Sequence, residues 1–163
     1  MNIERDLEKI AVQEARLRFA TIDNNVLWEL GVRIKTLCEA GSFALTIEIR
    51  LGRETVFFYA MPGTSPNNAE WVRRKRNTVE LMHKSSYSVG LALTLEGSTL
   101  EQKSGVSLKD YAMHGGSFPL LVRDLGCIGA VTVSGATERE DHAVIVEALA
   151  KMLQVPLEVV ALD

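Results

Sequence analysis

The sequence predicts a mixed α/β domain of the α+β kind, a mainly antiparallel sheet flanked by helices. Three observations carry that reading. The apolar residues change period along the chain, from the 3.6 of a helix to the 2 of a strand and back. The strands so marked come in neighbouring pairs joined by short turns, with no helix inside a pair, whereas parallel pairing would need such a crossover. A length of 163 residues, 47% apolar and 24% charged, is an ordinary globular balance and predicts a single domain over 1–163.

Each element follows from its residues. Over 3–19, Ile3, Leu7, Ile10, Leu17 and Phe19 stand among acids and bases and predict a helix. A second helix over 23–40 carries Val26, Leu30, Ile34 and Leu37 at steps of four, four and three. Asp23 is its expected N-cap and Gly41 the glycine beyond its end. These two helices, 3–41, are expected to pack on the sheet. Phe43, Leu45, Ile47 and Ile49 then alternate with Ala44, Thr46, Glu48 and Arg50 as a half-buried strand. A turn at 51–53 leads into an aromatic and β-branched returning strand over 55–61. The segment 62–68 holds Pro62, Gly63 and Pro66 and breaks the sheet. A helix to about 84 follows, with Asn67 and Glu70 at capping-box spacing.

Residues 85–99 fit two periods at once. Val89, Leu91, Leu93 and Leu95 alternate as in a strand, while Tyr87, Leu91 and Leu95 are spaced as in a helix. A short helical turn is expected at 100–105. Residues 118–123 and 127–134 form a second hairpin across Asp124, Leu125 and Gly126. Thr137 and Glu140 open a final helix to 153, with Ile145, Ala148, Leu149 and Met152 as its inward stripe. The apolar tail 155–162 is expected to add a last strand or to dock on a neighbouring chain.

Composition excludes several classes of function. The apolar stretch from Val89 to Leu95 is far short of the ~20 residues of a membrane span. The first residues are charged and show no apolar signal region, so export is not expected. Cys38 and Cys127 can form neither a disulfide framework nor a zinc quartet, which predicts a reducing, cytoplasmic setting. A net charge of −3 argues against nucleic acid as a partner. The basic run Arg73 to Arg76 is spread around several faces of its helix, which weakens it further as a nucleic-acid patch. His83, His114 and His142 lie far apart in sequence, so no local metal motif exists.

Four stretches could carry chemistry. His114, Gly115 and Gly116 stand just before a strand. Adjacent glycines let backbone approach a ligand or another chain, and a histidine beside them can bind or carry a proton. The alternative is a turn with a hydrogen-bonded histidine. Gly129 and Ala130 lie inside a strand, and Ser134 and Gly135 lead into a helix N-terminus that could receive an anion; close helix-on-sheet packing is the alternative. On the helix over 66–84, Asn68, Trp71, Val72, Lys75, Val79, Met82 and His83 share one face. Lys75 there could hold a carboxylate, or it could snorkel at a helix–sheet edge. Asp141 falls on the inward stripe of the last helix. It is suited to the helix N-terminus, or to a buried role toward His114 or Lys75.

The segment from Tyr111 through His114-Gly115-Gly116-Ser117-Phe118-Pro119, followed by Ile128 to Gly135 and then Glu140-Asp141-His142, resembles the haem-degrading domain family. That family includes GlcG-like and HbpS-like haem-binding proteins and the C-terminal domain of PduO-type adenosyltransferases. Here the Gly-Gly-x-Pro turn is one residue longer. The run with Trp71, Lys75, Val79, His83, Ser85 and Ser86 is similar to a cytosolic branch found in bacteria and fungi. The resemblance implies a profilin-like fold, a helix over 87–95 and a homo-oligomer.

Function is expected to fall into one of three readings. In the first, the chain binds a small molecule, with haem or another flat anionic ligand leading. His114 is the axial or proton-bearing residue, Lys75 neutralises a propionate and His83 is a second candidate ligand. Gly115, Gly116, Ser134 and Gly135 line the pocket with backbone. In the second, the chain is a non-catalytic structural or partner-binding oligomer. In the third, His114 and Asp141 act as an acid/base pair of an enzyme.

Overall fold

A computed structural model describes residues 2–163, so Met1 of the expected domain lies outside the described residues. The chain runs α1 (Ile3–Arg16), β1 (Arg18–Phe19), α2 (Asn24–Ala40), β2 (Thr46–Leu51), β3 (Glu54–Ala60) and α3 (Pro66–Met82). It continues as α4 (Ser86–Glu96), α5 (Leu100–Ser104), β4 (Ser117–Val122), β5 (Gly126–Ser134), α6 (Glu138–Leu153) and α7 (Leu157–Val160). One five-stranded sheet has the order β1-β4-β5-β2-β3. Both hairpins are present, and β2 joins them by pairing antiparallel with β5. Only β1 runs parallel to its neighbour, β4. The fold is therefore the expected mixed α/β sheet flanked by helices.

Strand alternation sorts the two faces of the sheet. Ile47, Ile49, Phe118, Leu120, Val131 and Val133 point one way and are buried with Leu27, Leu30 and Ile34 of α2 and Ile145 and Leu149 of α6. The opposite face, under α3, is polar. Arg76 Nη1 donates to both carboxylate oxygens of Glu48 at 2.8 Å, and Ser117 Oγ and Thr132 Oγ1 share a hydrogen bond of 2.7 Å. A smaller core of Ile10, Tyr87 and Leu91 joins α1 to α4. No helix among the described residues is long and apolar enough to cross a membrane.

Several boundaries differ from the sequence expectation. The first helix stops at Arg16, because Leu17 leaves helical geometry and Arg18–Phe19 pair with Leu121 and Val122. Asp23 caps α2, accepting from the Val26 amide at 2.8 Å, but the left-handed residue after that helix is Ser42 rather than Gly41. A Cβ at Gly41 would meet the Phe43 ring at 2.8 Å, so close packing accounts for that glycine. The box opening α3 is formed by Ser65 and Asn68, not Asn67 and Glu70; the Ser65 amide and hydroxyl both donate to Asn68 Oδ1. Residues 86–96 are helical, between a Ser85 cap and a left-handed Gly97. The tail does not form a strand. It turns into α7 and buries Val160, whose carbonyl accepts from Gln13 Nε2 at 2.7 Å.

Candidate functional site

Four segments meet at the end of the sheet where β5 gives way to α6. Asn68, Trp71 and Lys75 of α3, His114 of the preceding loop, Ser134 and Gly135, and Glu138 and Asp141 of α6 line a recess of about 260 Å³. Five of the sequence-derived candidates (Lys75, His114, Ser134, Gly135 and Asp141) are thus brought together.

Lys75 and Asp141 form the floor. Lys75 Nζ donates to Asp141 Oδ2 at 2.7 Å and to the Val133 carbonyl at 3.2 Å. Asp141 Oδ1 accepts the Ala136 amide at 3.0 Å. Both side chains are almost fully buried. Burial pushes the Asp141 carboxyl above its ordinary value, against the pull of Lys75 and the amides of Ala136 and Gly135. The role of Asp141 is therefore toward Lys75. Lys75 is not a free cation awaiting a propionate, because its charge is answered within the fold.

The two glycines make this floor geometrically accessible. Gly116 has φ +118°, and a Cβ there would sit 2.7 Å from both Lys75 Nζ and the Val133 carbonyl. A Cβ at Gly115 would lie 2.1 Å from the Glu138 carbonyl. The glycines thus back the recess and let α3 and α6 close over the turn.

His114 forms the wall. Its ring meets Trp71 edge-on with centroids 5.0 Å apart. Nδ1 is buried without a hydrogen-bond partner, and Nε2 stands 3.7 Å from Glu138 Oε1, outside hydrogen-bond range. The carboxylate nearest this imidazole is Glu138, while the oxygens of Asp141 are held by Lys75 and backbone amides. The expected His114–Asp141 acid/base pair is accordingly replaced by a Lys75–Asp141 ion pair and a separate His114–Glu138 approach. His114 also borders a second recess of about 450 Å³, walled by Tyr87, Leu91, Met113 and Arg139.

The loop carrying His114 is strapped to α3. Arg73 pairs with Asp110 at 2.9 Å, Arg74 donates to the Leu108 carbonyl at 2.7 Å, and Thr78 Oγ1 donates to the Ala112 carbonyl at 2.8 Å. The Arg74 guanidinium also stacks over Trp71 at 4.5 Å. The basic run of the sequence is thus occupied by its own fold: Arg73 and Arg74 hold the loop and Arg76 holds Glu48.

His83 is not at the site. It is the exposed, left-handed C-cap of α3, two turns beyond Lys75. Trp71 and Glu138 are site residues that the sequence reading did not select. Trp71 lies one turn before Lys75 on the same helical face, and Glu138 is the first residue after the Thr137 cap, so both carried a positional signal. Among the described residues no group of three or more His, Cys, Asp or Glu is placed to hold a metal ion.

Fold and site together define a class. The sequence pattern of the haem-degrading, HbpS-like family matches residues 22–150, and the chain belongs to that family. Within it, the chain is 53% identical over 163 residues to a UPF0303 protein of Azotobacter vinelandii, covering 100% of this chain and 98% of that one. A UPF0303 protein of Serratia proteamaculans is 48% identical over 160 residues, 98% of this chain and 99% of its own. Among solved structures, the Ybr137w protein superposes with a TM-score of 0.84 at 26% identity, over 91% of this chain and 87% of its own. The PduOC–haem complex gives 0.68 at 19% identity, over 80% and 94%, a likeness of fold.

Proposed function

We propose that this chain is a ligand-binding protein whose ligand sits against His114, with haem as that ligand. The observation that carries this reading is the His114 ring itself. It is part-exposed, shared by two recesses, and its nitrogens make no hydrogen bond that would have to be broken. The polar recess over Lys75 and Asp141, at about 260 Å³, is smaller than a typical organic-ligand pocket. The neighbouring recess, at about 450 Å³, falls within that range and has Tyr87, Leu91 and Met113 as apolar walls. A flat apolar ring system would lie in the second recess, where His114 would hold it by a ring nitrogen. Haem would supply the iron centre there; His114 would hold it and the apolar walls would exclude water. Arg139, at the rim, is engaged by Asp6 and the Asp163 carbonyl. The family membership and the haem-complex neighbour support the choice of haem.

A haemin titration followed by absorbance tests this. Wild-type protein should saturate near one haem per chain with a sharp band, lost in His114→Ala and retained in His83→Ala. Non-saturating uptake that ignores His114→Ala would overturn the reading.

A second observation favours self-association. β3 is an outer strand with Phe58 52% exposed, and Trp28 of α2, 57% exposed, stands edge-on against Phe57 of β3 with ring centroids 5.1 Å apart. An open strand edge with exposed aromatic side chains is suited to another copy of the chain. Light scattering should show an oligomer for the wild type and a smaller particle for Phe58→Lys; equal masses would remove this edge from the assembly.

A further inference from the structure

A different recess, of about 440 Å³, opens where α1 meets β1 and α6 gives way to α7. It is lined by Arg16, Arg18 and Arg123, with Gln154 and the apolar side chains of Val155, Pro156 and Val159. The topology brings Arg123 from a distant part of the chain to Arg16 and Arg18. Arg16 ends α1, and Arg18 pairs with Leu121 in the parallel β1–β4 register. The Arg123 amide donates to the Phe19 carbonyl at 2.9 Å.

Among the described residues no carboxylate lines this recess. Arg18 Nε donates to the Glu14 carbonyl at 3.0 Å, which leaves both its terminal nitrogens uncommitted. The side chains of Arg16 and Arg123 make no hydrogen bond or ion pair among the described residues. The contrast with α3 is sharp, since Arg73, Arg74 and Arg76 each hold a partner. A chain with a net charge of −3 thus gathers three guanidinium groups around one concavity. The last carbonyls of α1 and α6 offset part of that charge, as helix C-termini do. They do not supply the planar, multiply charged partner that a guanidinium fork matches best.

We propose that this recess binds an organic phosphate carrying two or more phosphoryl groups in series. The phosphoryl oxygens lie on Arg16, Arg18 and Arg123, where bidentate charge-assisted hydrogen bonds are available. The organic body lies against Val155, Pro156 and Val159. Three cations exceed what a single carboxylate would need, and the volume is in the range of small organic ligands. The site is separate from His114 and does not depend on the haem reading.

Titration calorimetry at low salt, with orthophosphate, pyrophosphate and ADP as probes, tests the proposal. ADP should bind saturably, more tightly than pyrophosphate and far more tightly than orthophosphate, and should weaken as salt is added. Arg16→Gln and Arg123→Gln should each weaken ADP binding roughly tenfold or more, the equivalent of one charge-assisted hydrogen bond. Arg33→Gln, an exposed cation on α2, should leave it unchanged. Arg16 and Arg123 are exposed, so an unchanged Tm would show that the variants remain folded. Equal affinity for ADP and pyrophosphate would overturn the organic half of the proposal. Orthophosphate binding as tightly as pyrophosphate, or an equal loss in Arg33→Gln, would overturn it altogether. A change of particle mass in Arg123→Gln with ADP affinity unaltered would make the cluster a subunit contact and overturn it as well.

Discussion

Lys75 of α3 and Asp141 of α6 meet at 2.7 Å, both side chains almost fully buried, and between them they tie the two helices across the end of the sheet. Removing one member of such a pair leaves a buried charge without its counter-charge. Lys75→Met should therefore lower unfolding stability by about 3–5 kcal/mol. The double variant Lys75→Met/Asp141→Leu should recover part of that loss, because it removes both desolvation penalties. Urea unfolding of the single and double variants checks this; strictly additive losses would show that the two groups are not coupled.

Gly116 presses on the same pair. With φ at +118° and Val133 backbone 2.7 Å from the place of a Cβ, Gly116→Ala meets both strain and a clash with atoms that cannot rotate away. A loss of at least 1–3 kcal/mol is expected. Gly52→Ala is a control: φ is also positive there, at +56°, but nothing lies within 4 Å of the added carbon. A control as damaging as Gly116→Ala would leave backbone strain, rather than contact with the site, as the cause.

His142 makes a pH-dependent prediction. It is buried between Tyr87 and Phe118, and Nε2 lies 2.7 Å from Gln13 Oε1. Burial, helped by Arg139, pushes its pKa down to about 3. As pH falls below about 6.5 the unfolded chain takes up a proton that the folded chain refuses. Stability should therefore fall with acidification, by up to about 1.4 kcal/mol per pH unit, until the folded imidazole itself titrates near 3. Burial raises the Asp141 carboxyl, so its contribution has the opposite sign, and the difference between wild type and a His142 variant is what assigns the histidine's share. In His142→Gln that slope should flatten, and an unchanged slope would show that another group is responsible.

The strap over the site predicts a local effect. Arg74 donates to the Leu108 carbonyl, and its backbone carbonyl accepts the Ala112 amide at 3.1 Å. Arg74→Ala should speed hydrogen exchange at residues 108–114 while leaving the amides of β5 protected, a local rather than global opening. Equal acceleration in β5 would mean that the strap and the core open together.

What was legible in the sequence follows from what has a period. The two hairpins and the long helices α2, α3 and α6 were readable because each repeats its apolar spacing several times. Residues 87–95 carry leucines that satisfy both periods, and in the sequence only the family resemblance points to a helix; the structure shows that helix between a Ser85 cap and a left-handed Gly97. β1 has two residues and α7 four, too few to show any period, so the apolar spacing alone extends the first helix over β1 and leaves the tail without a helical signal. At the site, Lys75 and Asp141 could be placed on inward faces, but no spacing along the chain reveals a partner 66 residues away. His83 looked equivalent to Lys75 on a helical wheel that assumed the helix continued, whereas the helix ends one residue earlier.

The position of His114 between two recesses has one more consequence. A single imidazole is part of both walls, so it cannot turn toward an occupant on one side without altering the surface offered on the other. Any occupants of the two recesses would therefore be linked through that ring. Thermodynamic reciprocity requires that whatever the occupant of the small polar side does to affinity on the apolar side, the reverse holds by the same factor.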